Sequence, residues 1–102
     1  MTFQEITASE LNQKLNSQQD LQIVDVREDY EFEDNNIGGI NIPMAEVLGR
    51  FEELKKYSEI IFCCASGKRS ATVAMHIKKK LPNHIIYSLQ GGIQSIAVHE
   101  KN

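Results

Sequence analysis

The run Ile60-Ile61-Phe62-Cys63 constrains the fold more than any other stretch of the chain. Four consecutive residues carry no polar side chain, so a strand built from them has no face fit for water. Strands of that kind are covered on both sides and belong to the middle of a parallel sheet. A parallel sheet needs crossover connections, and the flanking segments have helical patterning of the right length. Immediately after the run comes Cys64-Ala65-Ser66-Gly67-Lys68-Arg69-Ser70, a small glycine-bearing loop with two cations. Loops that follow such strands lie at the carboxyl edge of the sheet, where open α/β folds place their chemistry.

The remaining segments supply that sheet. Phe3 to Ile6 reads as a short strand, and Thr7-Ala8-Ser9-Glu10 as a capping box opening a helix with Leu11 and Leu15 on one face. That helix fails by Asn16-Ser17. Leu21 to Val26 is a second apolar strand, ending at Asp25 and followed by Arg27. Glu28 to Asp34 suggests a short acidic helix, Asn35 to Gly39 a turn, and Ile40 to Ile42 a short strand closed by Pro43. From Met44, the spacing of Val47, Leu48, Phe51 and Leu54 predicts an amphipathic helix ending near Tyr57. After the cysteine loop, Val73, Ala74, Ile77 and Leu81 recur at helical spacing up to Pro82-Asn83. His84 to Leu89 is the last strand, Gly91-Gly92 the last turn, and Ile93 to Val98 a closing helix. The prediction is one domain over residues 1–102, with a parallel sheet of four or five strands and helices on both faces. Asp25, Arg27 and the Cys64 loop then share one rim.

Composition removes several function classes. Apolar residues make up 41% and charged residues 25%, the balance of an ordinary globular domain, and no apolar run is long enough for a membrane span. Net charge is −3 and the only basic run is Lys78-Lys79-Lys80, which suits a helix end better than a nucleic-acid face. The amino terminus lacks the basic and apolar regions of a secretory signal, so the expected location is cytoplasmic. The two cysteines are neighbours and cannot staple distant segments, and adjacent Cα atoms are too close for ordinary disulfide geometry. Free thiols suit a reducing compartment. His76, His84 and His99 have no ligand spacing with each other or with the cysteines, so neither a metal nor a cofactor is expected.

Cys64 is the candidate nucleophile. Loop amides, a helix start near Ser70 and the cations Lys68 and Arg69 all favour a thiolate there, and would equally favour the anionic outer sulfur of a persulfide. Ser70 is expected to cap that helix. Cys63, inside the strand, reads as packed support. A cysteine phosphatase would hold five residues between cysteine and arginine. Only four separate Cys64 from Arg69, so the bowl is narrower and suits a sulfur better than a phosphoryl group.

Cys64-Ala65-Ser66-Gly67-Lys68-Arg69-Ser70 resembles the Cys-x-x-Gly-x-Arg-Ser active-site loop of single-domain rhodanese-like sulfurtransferases. Ile23-Val24-Asp25-Val26-Arg27-Glu28 with Glu31-Phe32, Asn41-Ile42-Pro43, and Leu89-Gln90-Gly91-Gly92-Ile93 are similar to three further motifs of that family, in the family's order. The resemblance implies that Cys64 accepts sulfane sulfur from a small anionic donor such as thiosulfate and passes it to a thiol or protein acceptor. Ala65, Ser66, Gly67, Lys68, Arg69 and Ser70 would bind the donor, the two cations recruiting it. Asp25 and Arg27 would support the site, with Arg27 pairing Glu31 at i,i+4 and Asp25 holding nearby backbone. Two positions depart from the pattern: Asn35-Asn36-Ile37 replaces a Gly-His turn, and Ile96 stands where a tryptophan is common. The competing function is a non-catalytic module that keeps the cysteine and binds a protein through the same rim.

Overall fold

A computed structural model describes residues 3–17 and 20–101. Its sheet has five strands, β1 (Gln4–Ile6), β2 (Leu21–Asp25), β3 (Ile40–Asn41), β4 (Glu59–Cys63) and β5 (Ile85–Leu89). They are ordered β1-β5-β4-β2-β3, and every pairing is parallel. The strand expected at the centre is there: β4 lies between β2 and β5, and all five of its residues are buried. The sheet thus has the upper of the two expected strand numbers.

Alternation along β4 divides the interior into two layers. Ile60, Phe62 and, just past the strand, Cys64 enter a core with Val24, Val26, Val47, Leu54, Val73 and Ile77. Those partners come from β2 and the residue after it, from α3 (Met44–Val47) with the 3-10 segment that follows it, and from α4 (Lys68–Lys80). Ile61 and Cys63 enter the opposite layer with Ile6, Leu11, Ile23, Leu89 and Ile93, beneath α1 (Ala8–Asn16) and α5 (Gly92–Lys101). The two adjacent thiols therefore belong to opposite faces. Their separation follows from the two-residue period of the strand.

The capping box forms as expected, with Thr7 Oγ1 accepting from the Glu10 amide and the Glu10 carboxylate accepting from the Thr7 amide. Leu11 is buried, but Leu15, expected on the same face, is 44% exposed. The helix expected from Met44 to Tyr57 is instead one turn of α-helix, α3, followed by a 3-10 segment over Leu48–Leu54 that kinks at Arg50. Leu48, Phe51 and Leu54 are three residues apart, which is the 3-10 period rather than 3.6, and Gly49 weakens an α-helix between them. The acidic segment forms α2 (Asp29–Asp34), and the final helix begins at Gly92, one residue before its expected start. His84 uses a ring nitrogen on the Lys55 carbonyl, 3.0 Å away, while the side chain of His99 lies outside the described residues.

Candidate active site

The site begins where β4 ends. Cys64 follows the last residue of the strand and is 1% exposed, and Gly67 turns the chain into α4 with φ of +103°. That left-handed conformation is one only glycine takes at little cost. α4 starts at Lys68 rather than near Ser70, so Gly67 occupies the cap position and Ser70 the third position of the helix. Ser70 does not act as the cap. Instead, the Cys64 sulfur takes the place of a capping oxygen.

Cys64 Sγ accepts from the Gly67 amide at 3.1 Å and the Ser70 amide at 3.3 Å, and the Ser70 hydroxyl lies 3.6 Å away. Burial works against ionisation of this thiol. The amide and hydroxyl of Ser70 and the amides of Gly67 and Ser66 outweigh it together, and the Cys64 pKa falls below its ordinary value. Cys63 behaves oppositely. Burial, reinforced by the Asp25 carboxylate, pushes its pKa far up and keeps it a neutral thiol.

Ser70 Oγ also lies 3.2 Å from the Gly67 carbonyl and 2.8 Å from Ser88 Oγ on β5, with both serines fully buried. Among the described residues Ser70 is the sole hydrogen-bond partner of the Ser88 hydroxyl. Ser88 therefore donates to Ser70, which leaves the Ser70 proton for Gly67 or for the sulfur.

A second element holds the loop from outside. At the start of α5, the Ile93 amide donates to the Cys64 carbonyl at 2.8 Å and the Gln94 amide to the Ala65 carbonyl at 3.1 Å. Drawing those carbonyls outward leaves the loop amides facing the sulfur. The approach is so close that a Cβ on Gly92, whose φ is +64°, would fall within 2.5 Å of the Cys64 carbonyl oxygen and collide with the Ala65 carbonyl. Gly92 is thus a packing requirement of the loop, where the sequence suggested only a turn. The Gly91-Gly92 pair at the same rim was the available signal, and its contact with Ala65 is not a local property.

Asp25 and Arg27 stand on the same rim, next to the strand carrying the cysteines: Asp25 is in register with Cys63, and the Val26 amide donates to the Cys63 carbonyl at 2.9 Å. Arg27 does not pair with Glu31. Its guanidinium grips Asp25 through Nε at 3.0 Å and Nη2 at 2.9 Å, and its amide donates to the same carboxylate at 3.0 Å. Arg27 precedes Glu28, the cap of α2, so it lies outside the helix that an i,i+4 pair requires. Asn41 adds a clamp, donating to the Asp25 carbonyl at 2.9 Å and the Arg27 carbonyl at 3.0 Å.

Glu31 instead receives Arg69. Nη1 to Oε1 is 3.0 Å and Nη2 to Oε2 is 3.2 Å, a two-pronged ion pair between α2 and the second residue of α4. The Arg69 guanidinium, with the Glu28 amide second, holds the Glu31 carboxyl below its usual range. Lys68 is exposed and makes no ion pair among the described residues. The two expected anion-recruiting cations are therefore unequal. Ser66 is exposed at the mouth, and Ala65 is half-buried beside it.

The two departures in sequence meet on the other face. Asn35, Asn36, Ile37 and Ile96 line a cavity of about 390 Å³ together with Leu11 and Leu15. None of residues 64–70 borders it.

A family model for the rhodanese-like domain matches residues 7–99. The chain belongs to the rhodanese-like domain family. Among relatives of this rhodanese-like domain, YrkF of Bacillus subtilis, named as a candidate sulfur carrier protein, is 42% identical over 77 residues. That match takes in 74% of this chain but 42% of YrkF, so the chain spans less than half of that relative. YtwF of the same organism, named as a candidate sulfurtransferase, is 32% identical over 81 residues, covering 78% of this chain and 79% of its own. A crystal structure of a rhodanese-related protein from Thermoplasma volcanium superposes with a TM-score of 0.80 at 26% identity, covering 95% of this chain and 93% of the other. No helix among the described residues is long and apolar enough to cross a membrane, and no cluster of three His, Cys, Asp or Glu residues suited to a metal ion occurs among them.

Proposed function

We propose that this rhodanese-like domain is a sulfurtransferase that carries sulfane sulfur as a persulfide on Cys64. The observation that supports the reading is the convergence of the Gly67 and Ser70 amides and the Ser70 hydroxyl on one buried sulfur that follows a strand. In the first step the Cys64 thiolate attacks the outer sulfur of a donor such as thiosulfate. The sulfur–sulfur bond breaks and sulfite leaves with its electron pair, so three negative charges enter the step and three remain. In the second step a nucleophile, cyanide in the assay or a thiol or protein in the cell, attacks the outer sulfur and returns the thiolate. The loop donors, preorganised around negative charge, hold the anion in both states without rearrangement. Residues 1–102 act as one unit in this scheme, and free cysteines suit a cytoplasmic setting.

The test is to incubate the protein with thiosulfate, measure intact mass, and follow thiocyanate release on adding cyanide. One added sulfur on Cys64 and its loss to cyanide are expected. Absence of added mass with thiosulfate and with an alkyl persulfide alike, or undiminished turnover in Cys64→Ser, would sink the proposal and favour a non-catalytic binding module, which also predicts a slowly alkylated, high-pKa thiol.

A further inference from the structure

Arg69 and Lys68 are the loop's only cations, yet the structure treats them differently. Arg69 is held in a two-pronged pair by Glu31, whose Oε1 also accepts from the Glu28 amide at 2.9 Å. That second bond is part of the capping box that begins α2, so the carboxylate is fixed by its own helix and does not merely follow the guanidinium. α2 itself reads Asp-Tyr-Glu-Phe-Glu-Asp and carries no cation. The wall beside the loop is therefore negative. Arg27, the other nearby cation, is already neutralised by Asp25. Among the described residues, an anion approaching Cys64 thus meets one loop cation without an ion-pair partner, Lys68, and a guanidinium whose charge is balanced and whose fork is turned toward α2.

From this we infer that Glu31 is a specificity-determining residue: by holding Arg69 it disfavours dianionic donors such as thiosulfate and leaves the loop suited to donors of at most one charge, chiefly the persulfides of thiols. The inference rests on the persulfide reading above and names its donor class. For such a donor, R–S–SH, the Cys64 thiolate attacks the outer sulfur, the sulfur–sulfur bond breaks, and the thiolate R–S⁻ leaves with the electron pair while the proton stays with the transferred sulfur. Only that terminal sulfur needs to enter the bowl, and the amides meet the charge it carries once its proton is lost.

Glu31→Gln isolates the charge. Glutamine at this position still accepts from the Glu28 amide, so the capping box and the fold are retained, while the countercharge on Arg69 is gone. Sulfur loading of Cys64 is followed by mass for two donors, thiosulfate and the persulfide of 2-mercaptoethanol. Releasing one half-buried ion pair is expected to raise kcat/KM for thiosulfate about threefold, with the alkyl persulfide changing by less than about 1.5-fold. The thiosulfate rate should also fall more steeply with salt in the variant. In Glu31→Gln with Arg69→Gln the thiosulfate gain should vanish. An equal change for both donors, or a gain that survives loss of Arg69, overturns the role of Glu31 while sulfur transfer stands. Failure of both donors to load the wild-type protein overturns the two readings together.

Discussion

Replacing Ser70 by alanine separates two roles that one hydroxyl performs. On one side it supports the Cys64 thiolate at 3.6 Å, and on the other it receives the Ser88 hydroxyl at 2.8 Å. A hydrogen bond to a charged group contributes about 1.5–3 kcal/mol, and the length of this contact argues for the lower end. Because about 1.4 kcal/mol corresponds to a factor of ten between protonation states, alkylation of Cys64 by iodoacetamide at neutral pH should slow about tenfold in Ser70→Ala. The midpoint of the alkylation pH profile should move up toward the ordinary thiol value of 9.0. Independently, the buried Ser88 hydroxyl loses its partner, which costs about 1–3 kcal/mol of stability in urea unfolding. Adding Ser88→Ala removes that orphan and should restore most of the stability without restoring the alkylation rate. If the single variant alkylates at the wild-type rate, or if the second substitution rescues reactivity, the Ser70 hydroxyl does not support the thiolate and its proton stays with the Gly67 carbonyl. The linkage sign gives a further check. The folded-state pKa of Cys64 is lowered, so its contribution to stability is present above the unfolded pKa and is lost as pH falls through the folded one. Wild-type unfolding free energy should therefore rise with pH across that window, and less so in Ser70→Ala.

Two further variants test the supports of the loop. Gly92→Ala places a methyl group against the Cys64 and Ala65 carbonyls in a left-handed conformation, which alone costs about 1–2 kcal/mol, and should both lower the urea midpoint and slow Cys64 alkylation as the loop is displaced. Asp25→Ala strands the buried Arg27 guanidinium and should cost about 3–5 kcal/mol in urea unfolding, whereas Asp25→Ala with Arg27→Met should recover much of it, since removing both charges is nearly neutral.

The sheet was legible because burial on both faces leaves a mark in one dimension: Ile60 to Cys63 has no polar residue, and β4 is central. The loop after β4 was legible as well, since strand end, glycine and helix start are consecutive. What escaped were contacts that join segments far apart in sequence. Ser88 reaches Ser70 across eighteen positions and Arg69 reaches Glu31 across thirty-eight, and neither spacing corresponds to any local period. Arg27 shows how a local rule misleads. The i,i+4 rule presupposes that both residues are helical, but Arg27 follows the extended β2, where residues two apart share a side, and so it folds back on Asp25. The kink after α3 escaped for a different reason, because an apolar spacing of three is compatible with either helix type until Gly49 is weighed.

The direction of Arg69 bears on why the four-residue gap between it and Cys64 matters. A loop that cleaves a phosphoryl group needs a guanidinium fork aimed into the bowl, where it meets the equatorial oxygens. Here the fork is turned sideways onto Glu31, and the donors that reach the centre are the Gly67 and Ser70 amides and a hydroxyl. Those groups hold a compact anion at one point and offer no bidentate grip on a tetrahedral one. The shorter gap and the acidic α2 thus act in the same direction. The first sets the arginine one residue nearer the cysteine than in a cysteine phosphatase, and the second holds it at the rim, so the donors left around the Cys64 sulfur are backbone amides and one hydroxyl.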